Sequence, residues 1–433
     1  MIQTLRNAWR VDDIRKKLLF MMFMIVLFRL GNAVTVPYVN TALLTAFFQQ
    51  QAGGTILNLI NTMSGSALER ASIFALSIQP YINASIIMQL LTIAIPALER
   101  MRKEGGEEGK KKIEKITRYS TLGIAALQGY AYYVLMQRGF GGESMIDPAA
   151  TGLLPAIVIV ATFMTGSAIL MWMGEQITEF GIGNGISVIL FVSIVARFPI
   201  EVWSMVTGVI ETPSTWWIYT LMMLGALAIV VLIVLVNNSE RRIPVQYSKR
   251  VVGRKMYGGQ STHLPMKVNM SGVLPIIFAQ SIASIPATIV VFVPAWENTW
   301  LMTALSPHSI AYMVLYFLLI VFFSYFYSTV QFNPIEIANN LKKNGGFIPG
   351  FRAGKPTSEF IQKVLTKITL FGALYLAVVA ITPLVVSFFS ETARMSGIAM
   401  GGTSIIIVVS VALETLKQLE SQLLMRHYKG FLE

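Results

Sequence analysis

Residues 212–239 read TPSTWWIYTLMMLGALAIVVLIVLVNNS. This run holds no charged residue, and it exceeds the roughly 20 apolar residues that carry a helix across a bilayer. It lacks the polar–apolar alternation of a membrane barrel strand. It therefore reads as a membrane-spanning helix. Nine further stretches match it in kind. The first runs from Leu18 to Pro37, interrupted only by Arg29, and the others are 71–98, 119–137, 148–174, 180–196, 268–296, 298–335, 368–390 and 395–413. Several are longer than one span and include loop. Gly, Pro and Ser inside them are tolerated in lipid. The predicted fold is an all-α integral membrane protein with ten transmembrane helices.

Composition points the same way. Hydrophobic residues make up 54% of the 433 and charged ones 13%, about half the share of a soluble domain. Mean hydropathy is +0.62. A soluble monomer could not hide that much apolar surface. There is no cysteine, which removes disulfides, thiolate metal sites and cysteine nucleophiles. His263, His308 and His427 are too far apart in sequence to suggest a metal cluster. No GxxxxGK[ST], HExxH or GxSxG pattern occurs. No catalysis and no cofactor are expected. Leu18 to Phe28 resembles the core of a signal peptide, but Arg29 and Pro37-Tyr38 offer no small-residue cleavage site, so an uncleaved first span is expected.

The formal net charge of +12 is a separation of charge rather than a nucleic-acid signal. Of 34 basic residues, 29 lie before span 1, between spans 2 and 3, 6 and 7, and 8 and 9, and in the C-terminal tail. With ten alternating spans these all fall on one side. The other side receives Arg70, Arg138, Arg197 and Arg394. The positive-inside rule then places both termini in the cytoplasm. Ten spans divide into halves at 1–200 and 201–433. Five is odd, so the second half would run inverted, as in proteins with a path at the half–half interface. That inference rests on the count, because no residue-level repeat is visible.

Residues 38–70 fit neither a span nor a plain loop. After Gly53-Gly54 comes Thr55, Ile56, Leu57, Asn58, Leu59, Ile60, Asn61, Thr62, Met63 and Ser64. Ile56, Leu59, Ile60 and Met63 share one helical face. The segment is either a re-entrant helix inside a cavity or an apolar surface loop. Glu175 and Glu179 bracket the end of span 4, beside a glycine-rich turn, Gly181-Ile182-Gly183-Asn184-Gly185, which could line a cavity or simply make a tight connection. Arg29 and Glu414 are the clearest charges at membrane depth, each near a span end. The span centres lack the carboxylates and histidines of ion-coupled transporters, yet ten spans in two halves keep a secondary transporter of a small solute as the alternative reading.

Longer motifs carry a resemblance over essentially the whole chain. They are Ser72 to Leu91 (SIFALSIQPYINASIIMQLL), Gly174 to Ser187 (GEQITEFGIGNGIS), and Gln260 to Asn269 (QSTHLPMKVN). Further matches are Phe332 to Lys343 (FNPIEIANNLKK), Gly346 to Arg352 (GFIPGFR) and Gly401-Gly402-Thr403-Ser404. Arg241-Arg242 followed by Gln246 to Arg250 belongs with them. Together these segments resemble the SecY family, central channel subunits of the bacterial Sec translocon. Small departures occur, such as Ser77 and Gln79 in the span-2 motif.

The resemblance implies a passive channel that passes unfolded polypeptide across the bacterial plasma (inner) membrane and releases hydrophobic segments sideways into lipid. It implies an apolar pore ring, here Ile78, Ile82, Ile186, Leu190, Ile277 and Ile407. Isoleucine is abundant in these spans, so only motif matching selects these positions. It identifies Thr55 to Ser64 as a plug, which favours the re-entrant reading. It implies a lateral gate between spans 2–3 and 7–8, near Gln89, Asn269 and Gln280, although these polar groups could equally make ordinary interhelical hydrogen bonds. The basic loops 238–268 and 333–363, with Arg241, Arg242, Lys249, Arg250, Lys342, Lys343 and Arg352, resemble docking sites, although their sign alone is explained by topology. The implied partners are the small membrane subunits SecE and SecG, the SecA motor ATPase, the ribosome with its RNA, translocating polypeptides and signal sequences, and the lipid bilayer.

Overall fold

A computed structural model of the chain describes residues 2–50, 61, 64–139, 144–147, 152–211, 213–247, 250–252, 255–257, 261–286, 289, 299–306, 309–389 and 401–429. The first half contains α1 (Ile2–Arg10), α2 (Asp12–Ala33), α3 (Thr41–Gln50), α4 (Gln79–Ala94), α5 (Pro96–Glu104), α6 (Gly106–Arg138), α7 (Leu153–Phe180) and α8 (Gly185–Glu211). The second contains α9 (Trp216–Asn238), α10 (Leu274–Ala283), α11 (Trp300–Ala304), α12 (Ile310–Gln331), α13 (Pro334–Lys343), α14 (Lys355–Phe389) and α15 (Gly401–Lys429).

Each of the ten predicted stretches contains a helix. Among the described residues, four helical runs are long and apolar enough to cross a membrane: α7, α9, α12 continuing into α13, and α14. The pair α4–α5, bent by 103°, makes a fifth if taken as one span. The chain is thus a multi-pass helical membrane protein. α2, α6, α8, α10 and α15 occupy the other stretches without reaching the same length and apolarity.

The predicted span 71–98 is shorter in the structure than in the sequence pattern. Its helix begins only at Gln79, with Pro80 in the first turn, where proline's fixed φ and missing N–H fit a helix start. Before it the chain is coiled, with Ala71 and Ser77 at positive φ, a geometry no right-handed helix accepts. The helix ends before Pro96, which holds Ile95 extended (φ −105°, ψ 112°) and produces the bend. A second difference is the excursion after α2. It contains the extra helix α3, whose Leu44, Phe47 and Phe48 are buried with Leu68, Leu76 and Phe163.

The all-helical expectation holds for the bundle but not outside it. Strands β1 (Glu240–Tyr247), β2 (Arg250–Val252), β3 (Lys255–Tyr257) and β4 (Ser261–Lys267) form within the first basic loop, and β5 (Gly346–Phe347) within the second. β1 lies between β4 and β5, antiparallel to both. β2 and β3 make a separate hairpin. The two basic loops therefore share one sheet, with Gln246 opposite Phe347 and Tyr247 opposite Gly346.

The largest apolar core draws on α2, α4, α7, α8, α9, α10, α12, α14 and α15. α4 packs on α6, and α6 on α7. α10 packs on α12, and α12 on α14. α4 meets α10 across a thin seam, and α15 lies against α8, α9 and α14. A separate core, of Ile243, Val245, Met266, Ile348, Ile361 and Leu365, fastens the sheet to α14.

Candidate functional site

The six predicted ring positions come from four helices. Ile78 caps α4, and its carbonyl accepts the Ile82 N–H at 3.1 Å, so both lie one turn apart at the start of that helix. Ile186 and Leu190 sit in the first turns of α8, Ile277 in α10 and Ile407 in α15. Ile78 and Ile407 are each 1% exposed. Ile82, Leu190 and Ile277 are buried in the same apolar cluster, and half-buried Ile186 packs against it.

The turn before α8 is closely built. Thr178 Oγ1 donates to the Gly174 carbonyl at 2.8 Å and accepts the Gly185 N–H at 2.9 Å. Asn184 Oδ1 accepts the N–H groups of Ile186 and Ser187 at 3.0 and 3.3 Å, capping α8. Gly183, at φ +89°, rests on Thr415 of α15. Ile182 is buried with Ala8, Ile14 and Leu419. Of the two readings open for this glycine-rich turn, it is a tight connection, and its edge also borders a cavity.

That cavity has a volume of about 580 Å³ and lies between α4, α6, α7 and α8. Tyr81, Gln89, Arg118, Glu175, Asn184 and Ile186 are among its lining. Arg118 Nε and Glu175 Oε1 pair across it at 2.8 Å, joining α6 to α7. Gln89 Nε2 donates to Ser85 Oγ one turn back, at 3.4 Å.

Of the other two polar positions expected at the gate, Asn269 is bonded elsewhere. Asn269 precedes α10 and donates from Nδ2 to Asn237 Oδ1 at 3.0 Å. Asn237 Nδ2 donates in turn to Ser410 Oγ at 2.8 Å, and Lys417 Nζ donates to the Asn237 carbonyl at 3.2 Å. Asn269 thus belongs to a knot joining the end of α9, the approach to α10, and α15. Gln280 is buried within α10. Asn237 escapes a sequence reading because polar residues at the end of an apolar run read simply as the span boundary.

Of the expected plug, Asn61 and Ser64 are described and the remainder lies outside the described residues. Asn61 is fully buried. Its Nδ2 donates to Glu69 Oε2 at 2.7 Å, and its Oδ1 accepts the Glu69 N–H at 3.1 Å. The next turn runs close over α8: a Cβ on Gly65 would come within 2.8 Å of the Ser193 carbonyl oxygen.

Arg241, Arg242, Lys342, Lys343 and Arg352 are exposed around the shared sheet. Arg242 pairs with Glu240 at 2.7 Å. The turn carrying Arg352 is pinned by Thr357 Oγ1, which donates to the Arg352 carbonyl at 2.8 Å, and by Phe351 against Phe360 with ring centroids 4.2 Å apart. Lys249 lies outside the described residues, and Arg250 is described by its place on β2.

A family model described as SecY matches residues 72–416. The chain is 43% identical over 448 residues to the protein translocase subunit SecY of Streptomyces coelicolor, covering 100% of each. It is 41% identical over 450 residues to the subunit of the same name from Mycobacterium tuberculosis, again covering 100% of each. Among solved structures, a protein-conducting channel superposes with a TM-score of 0.65 at 17% identity, covering 94% of this chain and 92% of that one. Sec61 in the canine ribosome–channel complex gives 0.63 at 15%, with the same coverage. At such identities the solved structures establish a shared fold. With the motif-bearing part of the chain matched by the family model and relatives above 40% identity along its whole length, the chain belongs to the SecY family.

Proposed function

We infer that the chain is the channel subunit of a protein translocase, through which unfolded polypeptides cross a membrane and hydrophobic segments leave sideways into lipid. It is a passive conduit and not an enzyme, and family membership gives no support to a solute transporter. One observation supports the pore reading best. Six apolar side chains, from helices far apart in sequence, belong to or pack on a single buried cluster. An apolar constriction blocks ions by dewetting, yet it offers a passing peptide no strong bond.

The finer assignments follow from this reading. Ile78, Ile82, Ile186, Leu190, Ile277 and Ile407 form the constriction. Residues 55–64 form the plug, anchored at its end by Asn61 against Glu69. The thin α4–α10 seam is the lateral exit. Its driving force is apolar transfer, about 25 cal/mol per Å². Ten spans run as two inverted halves, 1–200 and 201–433, with both termini cytoplasmic in a bacterial inner membrane. The shared basic sheet meets the SecA motor and the RNA of the ribosome, since arginine suits both carboxylate and phosphate. SecE and SecG complete the membrane complex.

The test is electrical. In a planar bilayer the translocase carrying Ile82→Gly and Ile277→Gly should conduct ions at rest. A conductance equal to the unaltered channel would refute the ring. Because the chain has no cysteine, Ile82→Cys adds a single thiol. It should crosslink to a cysteine placed in a stalled translocating chain, and failure at every position of that cysteine would refute a central peptide path.

A further inference from the structure

Where α7 leads into α8, two glycines have their side-chain space already filled, Gly174 in the last turns of α7 and Gly185 at the start of α8. A Cβ built on Gly185 would overlap the Gly174 carbonyl oxygen and come within 2.7 Å of the Ile177 Cβ. A Cβ on Gly174 would lie 3.1 Å from Cγ1 of Ile186, closer than ordinary van der Waals contact. Not every glycine of the bundle is so confined. At Gly123 in α6 and Gly225 in α9 an added Cβ meets no atom within 4 Å. Close backbone approach recurs elsewhere, as at Gly166 against the Ile73 carbonyl and Gly372 against the Val268 carbonyl, but where α8 begins the residue beside it is a ring position.

Hydrogen bonds fix the same place. Thr178 Oγ1 bridges the Gly174 carbonyl and the Gly185 N–H, so a single hydroxyl sets the distance between the two backbones. Asn184 fixes the direction of α8 by capping it. Ile182 and Gly183 press the turn onto α15, the helix that carries Ile407.

We propose that Gly174, Thr178 and Gly185 are positioning residues for the constriction: they seat Ile186, and Leu190 one turn on, at the depth where the resting pore is sealed against ions. The inference rests on the ring reading above. Helices in lipid gain from close packing at small residues, and here that packing sets where a gating side chain stands. A bulkier group at either glycine pushes α8 or the Ile186 side chain outward, because close-packed interiors transmit such strain instead of absorbing it.

The experiment measures resting ion conductance per channel in the reconstituted translocase, at matched amounts of assembled complex. Gly174→Val should raise it several-fold while assembly and thermal stability stay near those of the unaltered complex. Gly185→Ala should raise it at least as much. Gly123→Ala and Gly225→Ala should leave it unchanged. A double-mutant cycle separates positioning from general loosening. Ile186→Ala removes the atom that a side chain at 174 would strike, so Gly174→Val should add little leak to Ile186→Ala. If Gly174→Val leaves the pore tight, or adds as much leak with Ile186→Ala as without it, the seat is overturned. Ile186→Gly distinguishes the two readings. A leak there with none from the glycine variants refutes the seat alone, whereas no leak from any of them refutes the ring at this position.

Discussion

Replacing Ser77 with glycine is expected to stabilise the protein. Ser77 immediately precedes Ile78 and has φ +52°, in the left-handed region. An L-residue pays roughly 1–2 kcal/mol to stand there. Its side chain is 3% exposed, and its hydroxyl has no hydrogen-bond partner among the described residues. Burying such a group costs about 1–3 kcal/mol. Glycine removes both penalties. It adds about 0.5–1 kcal/mol of unfolded-chain entropy and leaves space for two heavy atoms, about 1 kcal/mol of lost burial. The balance is a gain of about 1–2 kcal/mol. Thermal unfolding of the reconstituted translocase should show a midpoint raised on the order of 1–4 °C. Ser77→Ala is the control, because it removes the hydroxyl but keeps the Cβ and the backbone strain. The glycine variant should exceed the alanine variant by about 1 kcal/mol. An alanine variant as stable as the glycine one would refute the strain argument.

Three further outcomes are expected. Asn237→Leu cuts two interhelical side-chain bonds, each worth about 0.6 kcal/mol in a membrane protein, and orphans the Asn269 amide. It should lower stability by about 1–3 kcal/mol, read as a lower unfolding midpoint. The Ser328–Thr369 contact at 2.8 Å ties α12 to α14. A double-alanine cycle in thermal unfolding should return a coupling of about 0.6 kcal/mol. Arg352→Glu reverses an exposed charge on the turn beside the shared sheet, so motor-driven export should fall sharply while the amount of folded protein is unchanged. Normal export by that variant would contradict the docking assignment.

Much of the bundle was legible because lipid simplifies the rule: a run such as 212–239 has few alternatives to a helix. The departures have local causes. Span 2 looked continuous from 71 to 98 because it holds no charged residue. Hydropathy does not register the positive φ of Ala71 and Ser77, which postpones the helix to Gln79. The sheet was invisible for the opposite reason. Glu240 to Tyr247 reads as charged loop, and only Ile243 and Val245, two apart, betray a strand with one buried face. β5 is two residues long, and its pairing with β1 depends on contacts about a hundred positions apart in sequence. Asn269 was expected at a gate, but a polar residue near a span end carries no mark of its partner. Asn237, 32 residues away, claims it.

The length of α14 bears on where a docked partner stands. Its 35 residues, at 1.5 Å each, span about 52 Å. The hydrocarbon core takes about 30 Å, leaving on the order of 20 Å of helix beyond it. That extension carries Ile361 and Leu365, the residues that clamp the sheet. Leu365 and Ile361 lie about 5 and 10 Å along the helix from the apolar stretch that begins at 368, so the sheet they clamp would sit at the headgroups and just above them. Fields from anionic lipid decay over about 8 Å in physiological salt. The basic side chains of a sheet at that height stand within reach of this field, so a partner docking there, as proposed above, would compete with the anionic lipid surface.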